Sequence, residues 1–150
     1  MSETPATLSD AEQRALRSVV AHIVPASAQY AVPGADDAVI FADIVASLGR
    51  DTHAVRQALA RIAELAGGEF ADLSADRQQQ VLSAFRDGHA AAAGVLYAVT
   101  VQCYYRDDRV LASIGLEPRA PFPKGYTVPA GDLSLLDPVR ARGPIYRNAT

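Results

Sequence analysis

A single cysteine, Cys103, is present, which excludes an internal disulfide framework and any multi-thiolate metal site within one chain. Excess charge of one sign is lacking: the formal net charge of −3 is too mild to mark a nucleic-acid binder by charge alone, and no nucleic-acid partner is expected. Met1 to Asp10 holds no basic cluster, no apolar run and no paired arginines, so nothing there reads as an export signal. The expectation is a cytoplasmic chain, unless a signal-bearing partner carries it out. The most apolar stretch, 90–101, stays short of the ~18–20 residues of a bilayer span even when extended to Tyr105, so no direct membrane insertion is expected. What remains is ordinary for a folded domain. At 150 residues, 49% hydrophobic and 21% charged, the chain has room for one core.

Proline is missing where regular structure should sit. None lies between Gly34 and Glu117, while six of the nine fall in the last 36 residues. Charge divides at the same place: residues 1–114 carry 9 basic against 14 acidic side chains, and residues 115–150 carry 5 against 3. These shifts predict an acidic helical body over 1–115. A long, proline-rich, largely irregular tail should follow over 116–150.

The body reads as all-α, a compact bundle of about five helices. Ser9-Asp10-Ala11-Glu12 has the spacing of a capping box, with Leu8 placed for a hydrophobic staple, and Leu16, Val19, Val20, Ile23 and Val24 follow before Pro25. After Pro33-Gly34, Val39, Ile40, Phe41, Ile44, Val45 and Leu48 mark a second helix with Asp36 and Asp37 in its first turn. Thr52 is placed to cap a third, carrying Val55, Leu59, Ile62 and Leu65 and ended by Gly67-Gly68. Ser74 caps a fourth, which buries Val81, Leu82 and Phe85 and breaks at Asp87-Gly88. From Ala90 to Gln102 every side is apolar or small, so this helix belongs at the bundle centre. Arg109 to Ile114 adds a turn or two before Gly115. In the tail, only Asp132 to Leu136 escapes proline long enough for a helical turn. No segment alternates with a period of two.

Catalytic patterns are thin. His22, His53 and His89 lie on different helices without a ligand at i+3 or i+4, and Cys103 sits on the apolar helix as an inert hydrophobe. No phosphate-cradling glycine loop and no nucleophile elbow is present. Asp107-Asp108 reads as a solvated cluster at a helix end rather than an acid–base pair. No catalytic, cofactor-binding or metal-binding residue is assigned. One region has the composition of a docking surface: Tyr104, Tyr105, Arg106 and Arg109, then Phe122, Pro123, Lys124, Gly125 and Tyr126. In the tail, Arg140, Arg142 and Tyr146 join these candidates, as do Arg119 and Arg147 as cations for acidic groups on a partner.

The order of several short motifs resembles the gluconate 2-dehydrogenase subunit 3 family over nearly the whole length. The matching pieces are Leu8-Ser9-Asp10-Ala11-Glu12 through Ile23-Val24-Pro25, Pro33-Gly34-Ala35, Phe70-Ala71-Asp72-Leu73-Ser74, Tyr104-Tyr105 to Gly115, and Phe122-Pro123-Lys124-Gly125-Tyr126. The resemblance implies a non-catalytic accessory subunit. Its partner would be a large flavoprotein of the glucose-methanol-choline oxidoreductase type, holding FAD and oxidising an alcohol or sugar hydroxyl. A cytochrome subunit completes some such complexes. No cofactor is then expected on this chain. Two departures stand out. The twin-arginine signal of many relatives is missing, and Asp108 replaces a proline, which predicts that the apolar helix runs on. The competing reading is a stand-alone helical enzyme or small-ligand binder using His22, His53 or Asp107 in an interhelical pocket.

Overall fold

The capping box at the start of the chain closes as its spacing predicts. Ser9 N–H donates to Glu12 Oε2 at 2.7 Å, and Glu12 N–H donates to Ser9 Oγ at 3.3 Å, which starts α1 (Asp10–Ile23). The expected apolar staple is absent because the residue facing Leu8 is Gln13, whose amide donates to Leu8 O at 3.0 Å; Leu8 itself is buried in the core. These details come from a computed structural model that describes residues 7–120, 122–125 and 127–146.

Asp37 caps α2 (Ala38–Ser47) by accepting from Val39 N and Ile40 N, so Asp36 lies outside the helix rather than in its first turn. A 3-10 turn at Gly49–Asp51 runs straight into α3 (Thr52–Ala66). Thr52 therefore does not cap. Its hydroxyl donates back to Gly49 O at 2.8 Å. Gly67, at φ +75, ends α3 in the left-handed conformation that glycine adopts without strain. A second 3-10 turn, Phe70–Asp72, sets Phe70 into the core and leads to α4 (Ala75–Gly88), where Ser74 Oγ accepts from Arg77 N. α5 (Ala90–Tyr104) follows across His89, and α6 (Asp108–Ser113) closes the series.

The chain is all-helical, with no strand among the described residues. The described residues form seven α-helices rather than about five, the two additions being six-residue elements. One of these corrects the expectation that the apolar helix runs on past Asp108. Asp107 Oδ1 accepts from Arg109 N at 2.9 Å and starts a new helix, so α5 stops at Tyr104. A side-chain cap competes successfully with one more turn of backbone hydrogen bonds.

α5 packs against α1, α2, α3 and α4, so four neighbours share it. It is not surrounded, however. Leu96, Val99, Thr100, Cys103 and Tyr104 are buried, while Gly94, Tyr97, Ala98, Gln102 and Tyr105 are exposed. Val39 and Leu65, both read as apolar-face residues, also point outward. The core is otherwise built from the expected faces: Leu16, Val20, Ile40, Ile44, Val55, Ile62 and Phe70 are essentially inaccessible.

The fold divides between Pro118 and Arg119 into two compact units. In the second, Asp132 caps a 3-10 turn at Leu133–Leu136, which continues into α7 (Asp137–Arg142). Pro138 was expected to stop regular structure here. It instead occupies the first turn of α7, where its missing N–H costs nothing. Arg119 donates to Ala120 O and Gly125 O at 3.0 and 2.7 Å.

Candidate functional site

Three of the motifs quoted above meet at one end of the bundle. Gly34 sits where a Cβ would lie 2.5 Å from Asp36 Oδ1 and 2.9 Å from Ala26 N, so the loop closes this tightly only with glycine. Ala35 is buried and its N–H donates to Val24 O at 2.9 Å, tying the lead-in of α2 to the end of α1. The Tyr104 hydroxyl donates to Pro33 O at 3.1 Å, which ties the end of α5 to the same loop. Tyr104 is buried, and that burial raises its phenol pKa above the ordinary value.

Beside this junction lies a rim of paired charges. Arg106 Nε donates to Asp43 Oδ2 at 2.6 Å, and its other nitrogen reaches Asp43 and Ser47. Arg109 donates to Asp37 Oδ1 at 2.7 Å and to Asp107 Oδ2 at 2.9 Å. The Arg109 guanidinium holds Asp37 and Asp107 below the usual carboxylate range, and Arg106 does the same for Asp43. Carboxylates held ionised in this way are poor proton donors at neutral pH. Their geometry fastens α2 to α5 and α6. The Cys103 thiol, buried beside them, has its pKa pushed up by desolvation, the opposite of an activated nucleophile.

The candidates therefore separate. Tyr104 is inside, Arg106 and Arg109 are half-exposed and occupied by carboxylates, and Tyr105 stands half-exposed with its ring edge-on to Tyr104. In the second unit Phe122, Pro123, Lys124, Gly125, Arg142 and Tyr146 are exposed, and Arg140 pairs with Asp137 at 3.1 Å. Tyr126 and Arg147 lie outside the described residues. Of the histidines, His22 shares a hydrogen bond with Gln78 Oε1 at 2.9 Å, His89 lies against Phe85, and His53 is exposed. Among the described residues no three His, Cys, Asp or Glu side chains come together as a metal site. No helix among them is long and apolar enough to cross a membrane.

A groove of about 480 Å³ lies between α1, α4 and α5, floored by Val19, Ile23, Leu82, Phe85 and Ala93 and edged by His22, Arg86 and Tyr97; the competing reading places His22 in an interhelical pocket, but the rest of this lining went unread in the sequence. Its signal was present as an apolar helix lacking any polar face. No curated protein and no solved structure matches the chain. The family profile of gluconate 2-dehydrogenase subunit 3 matches residues 10–114, a span that takes in every helix of the bundle, and the chain belongs to that family.

Proposed function

We propose that this chain is a non-catalytic accessory subunit that binds and stabilises a large FAD-dependent dehydrogenase of the glucose-methanol-choline type, acting on an alcohol or sugar hydroxyl. The observation that carries the proposal is the family match over residues 10–114, the whole helical bundle. The charge pairing agrees with it, since Asp37, Asp43 and Asp107 are each committed to holding helices together. Hydride chemistry then belongs to the flavin on the partner, with a cytochrome subunit as a further member of the assembly. The chain remains cytoplasmic unless it leaves with a signal-bearing partner. Residues 116–150 act as a second, extended contact, offering exposed Phe122, Leu135, Ile145 and Tyr146 as anchors. The test is a search of the neighbouring reading frames for a flavin-binding large subunit, then purification of this chain with and without it. Flavin absorbance should follow the complex and be missing from the chain alone. A yellow isolated chain, or a large subunit indifferent to its presence, overturns the proposal.

The second reading, a small-ligand binder, is favoured only by the groove between α1, α4 and α5. The imidazole that edges that groove is already hydrogen-bonded to Gln78, and Arg86 donates to Ser83, so several of its polar groups are engaged with one another or with the bundle.

A further inference from the structure

The outward half of α5 is an exposed surface without a charge. Gly94, Tyr97, Ala98, Val101, Gln102 and Tyr105 follow one another along it at helical spacing, and all but the half-buried Val101 are exposed. The helix is as apolar outward as inward, which a solvated surface helix is not. At its start, Gly94 has nothing within 4 Å of where a Cβ would stand, and Ala98, further along, adds only a methyl group. Another backbone can approach closely at both, while Tyr97 and Tyr105, 59% and 50% exposed, stand on either side of Ala98 as anchors. Along one flank runs the apolar groove between α1, α4 and α5, for which Tyr97 forms a lip.

We infer that this α5 face and its groove form the centre of the interface with the large dehydrogenase subunit. The inference rests on the accessory-subunit reading above. The occupant it names is an uncharged, apolar surface of that subunit, with one large aliphatic or aromatic side chain entering the groove. Area argues against a second copy of this chain. A 15-residue helix presents a strip of roughly 22 Å by 10 Å. Ridge against ridge, two copies would bury far less than the ~800 Å² per partner of a stable pair. A larger partner covers the ridge and fills the groove together. Charge argues for the same chemistry: the α5 face itself carries no ionised side chain, so an ionised group set against it would be desolvated without a counter-charge, Arg86 standing only at the outer edge of the groove.

The experiment captures the full-length chain, tagged, after co-expression with the glucose-methanol-choline-type large subunit from the same genome. The variants are Ala98→Arg and Tyr97→Ala, with Ala63→Arg on the exposed side of α3 as control. Wild type and Ala63→Arg should capture the large subunit, Ala98→Arg should lose it, and Tyr97→Ala should weaken capture roughly 30-fold. Circular dichroism and the unfolding midpoint of the free variants check the fold; if Ala98→Arg does not fold, Tyr97→Ala decides. Equal capture by wild type and these variants overturns the α5 interface and leaves the accessory-subunit reading standing. No capture by wild type overturns both. In the isolated full chain, a maleimide should label Ala98→Cys quickly. Slow labelling, or a wild-type dimer that Ala98→Arg converts to monomer, assigns the face to the chain itself and overturns the proposed occupant.

Discussion

The two units of this chain use the same kinds of residue in opposite ways. In the first, apolar side chains converge: Leu16, Ile44, Ile62 and Phe70 lose essentially all contact with water. In the second, between Arg119 and Tyr146, no described residue is buried, and Phe122, Val128 and Ile145 are each more than 80% exposed. Polar bonding differs in the same sense. Arg56 reaches Glu12 at 2.6 Å, and Arg109 reaches Asp37 across 72 positions. The described side-chain bonds of the second unit join near neighbours, such as Asp132 to Ser134 and Asp137 to Arg140. The first unit is held by non-local contacts. The described residues of the second form local caps and turns, and none of them is buried. Apolar surface on that scale is what the proposed second contact with the large subunit draws on.

The largest expected effect breaks the two units apart. Leu116 N–H still caps α6 by donating to Leu111 O at 3.0 Å, so the cut belongs after Pro118, the end of the first unit. The truncated chain should keep its far-UV helical signal apart from the small loss of α7, and should fail to retain the large subunit. A truncated chain that unfolds, or one that still holds its partner, shows that residues 119–150 have a different role.

A matched pair of substitutions sharpens the contrast. Phe70→Ala removes a ring that is 1% exposed and should cost about 3–5 kcal/mol in denaturant unfolding. Phe122→Ala removes one that is 87% exposed and should stay within about 0.5 kcal/mol. Similar losses at both positions would mean that Phe122 is buried in solution. A smaller effect is expected from Tyr104→Phe, which keeps the packing but leaves Pro33 O without its hydroxyl donor. About 0.5–1.5 kcal/mol should be lost, read from the same unfolding curves.

Much of the bundle was legible because its signals are local. Ser9 with Glu12, Ser74 before α4 and Gly67 after α3 each announce an end through chemistry confined to a few residues. What stayed hidden depended on the third dimension. An apolar helix with no moment gives no direction, so α5 could be read as enclosed when only one half of it is covered. Tyr104 and Tyr105 are adjacent in sequence, yet a helical turn of ~100° per residue sends the first inside and leaves the second half-exposed. The same limit applied to charge. Arg109 was readable as a surface cation, but nothing within the local stretch says that Asp37 waits for it. Pro138 misled in another way, since its effect depends on position within a helix and the start of α7 could not be located beforehand.

The smallest expected effect tests whether those long-range ion pairs matter to the first unit. Arg109 holds the folded-state pKa of Asp37 below the unfolded value, aided by the Val39 and Ile40 amides and opposed by partial burial. For a carboxylate depressed in this way, the stabilisation is present above the unfolded pKa of about 4 and is lost as pH falls through the lower, folded value. Asp37→Asn keeps a residue able to cap α2 and removes only the charge. At neutral pH the variant should be less stable than wild type, by no more than about 1 kcal/mol because the pair is partly solvated. The difference should narrow below about pH 4 as the wild-type carboxylate takes up its proton. It should also shrink on adding salt, which screens a half-exposed guanidinium. Urea midpoints for both chains, measured from neutral pH down through the acid range, give the comparison directly. A gap that persists unchanged at low pH would place the effect in the shape of the cap, and the Arg109 bridge would then be a consequence of the fold with no share in its stability.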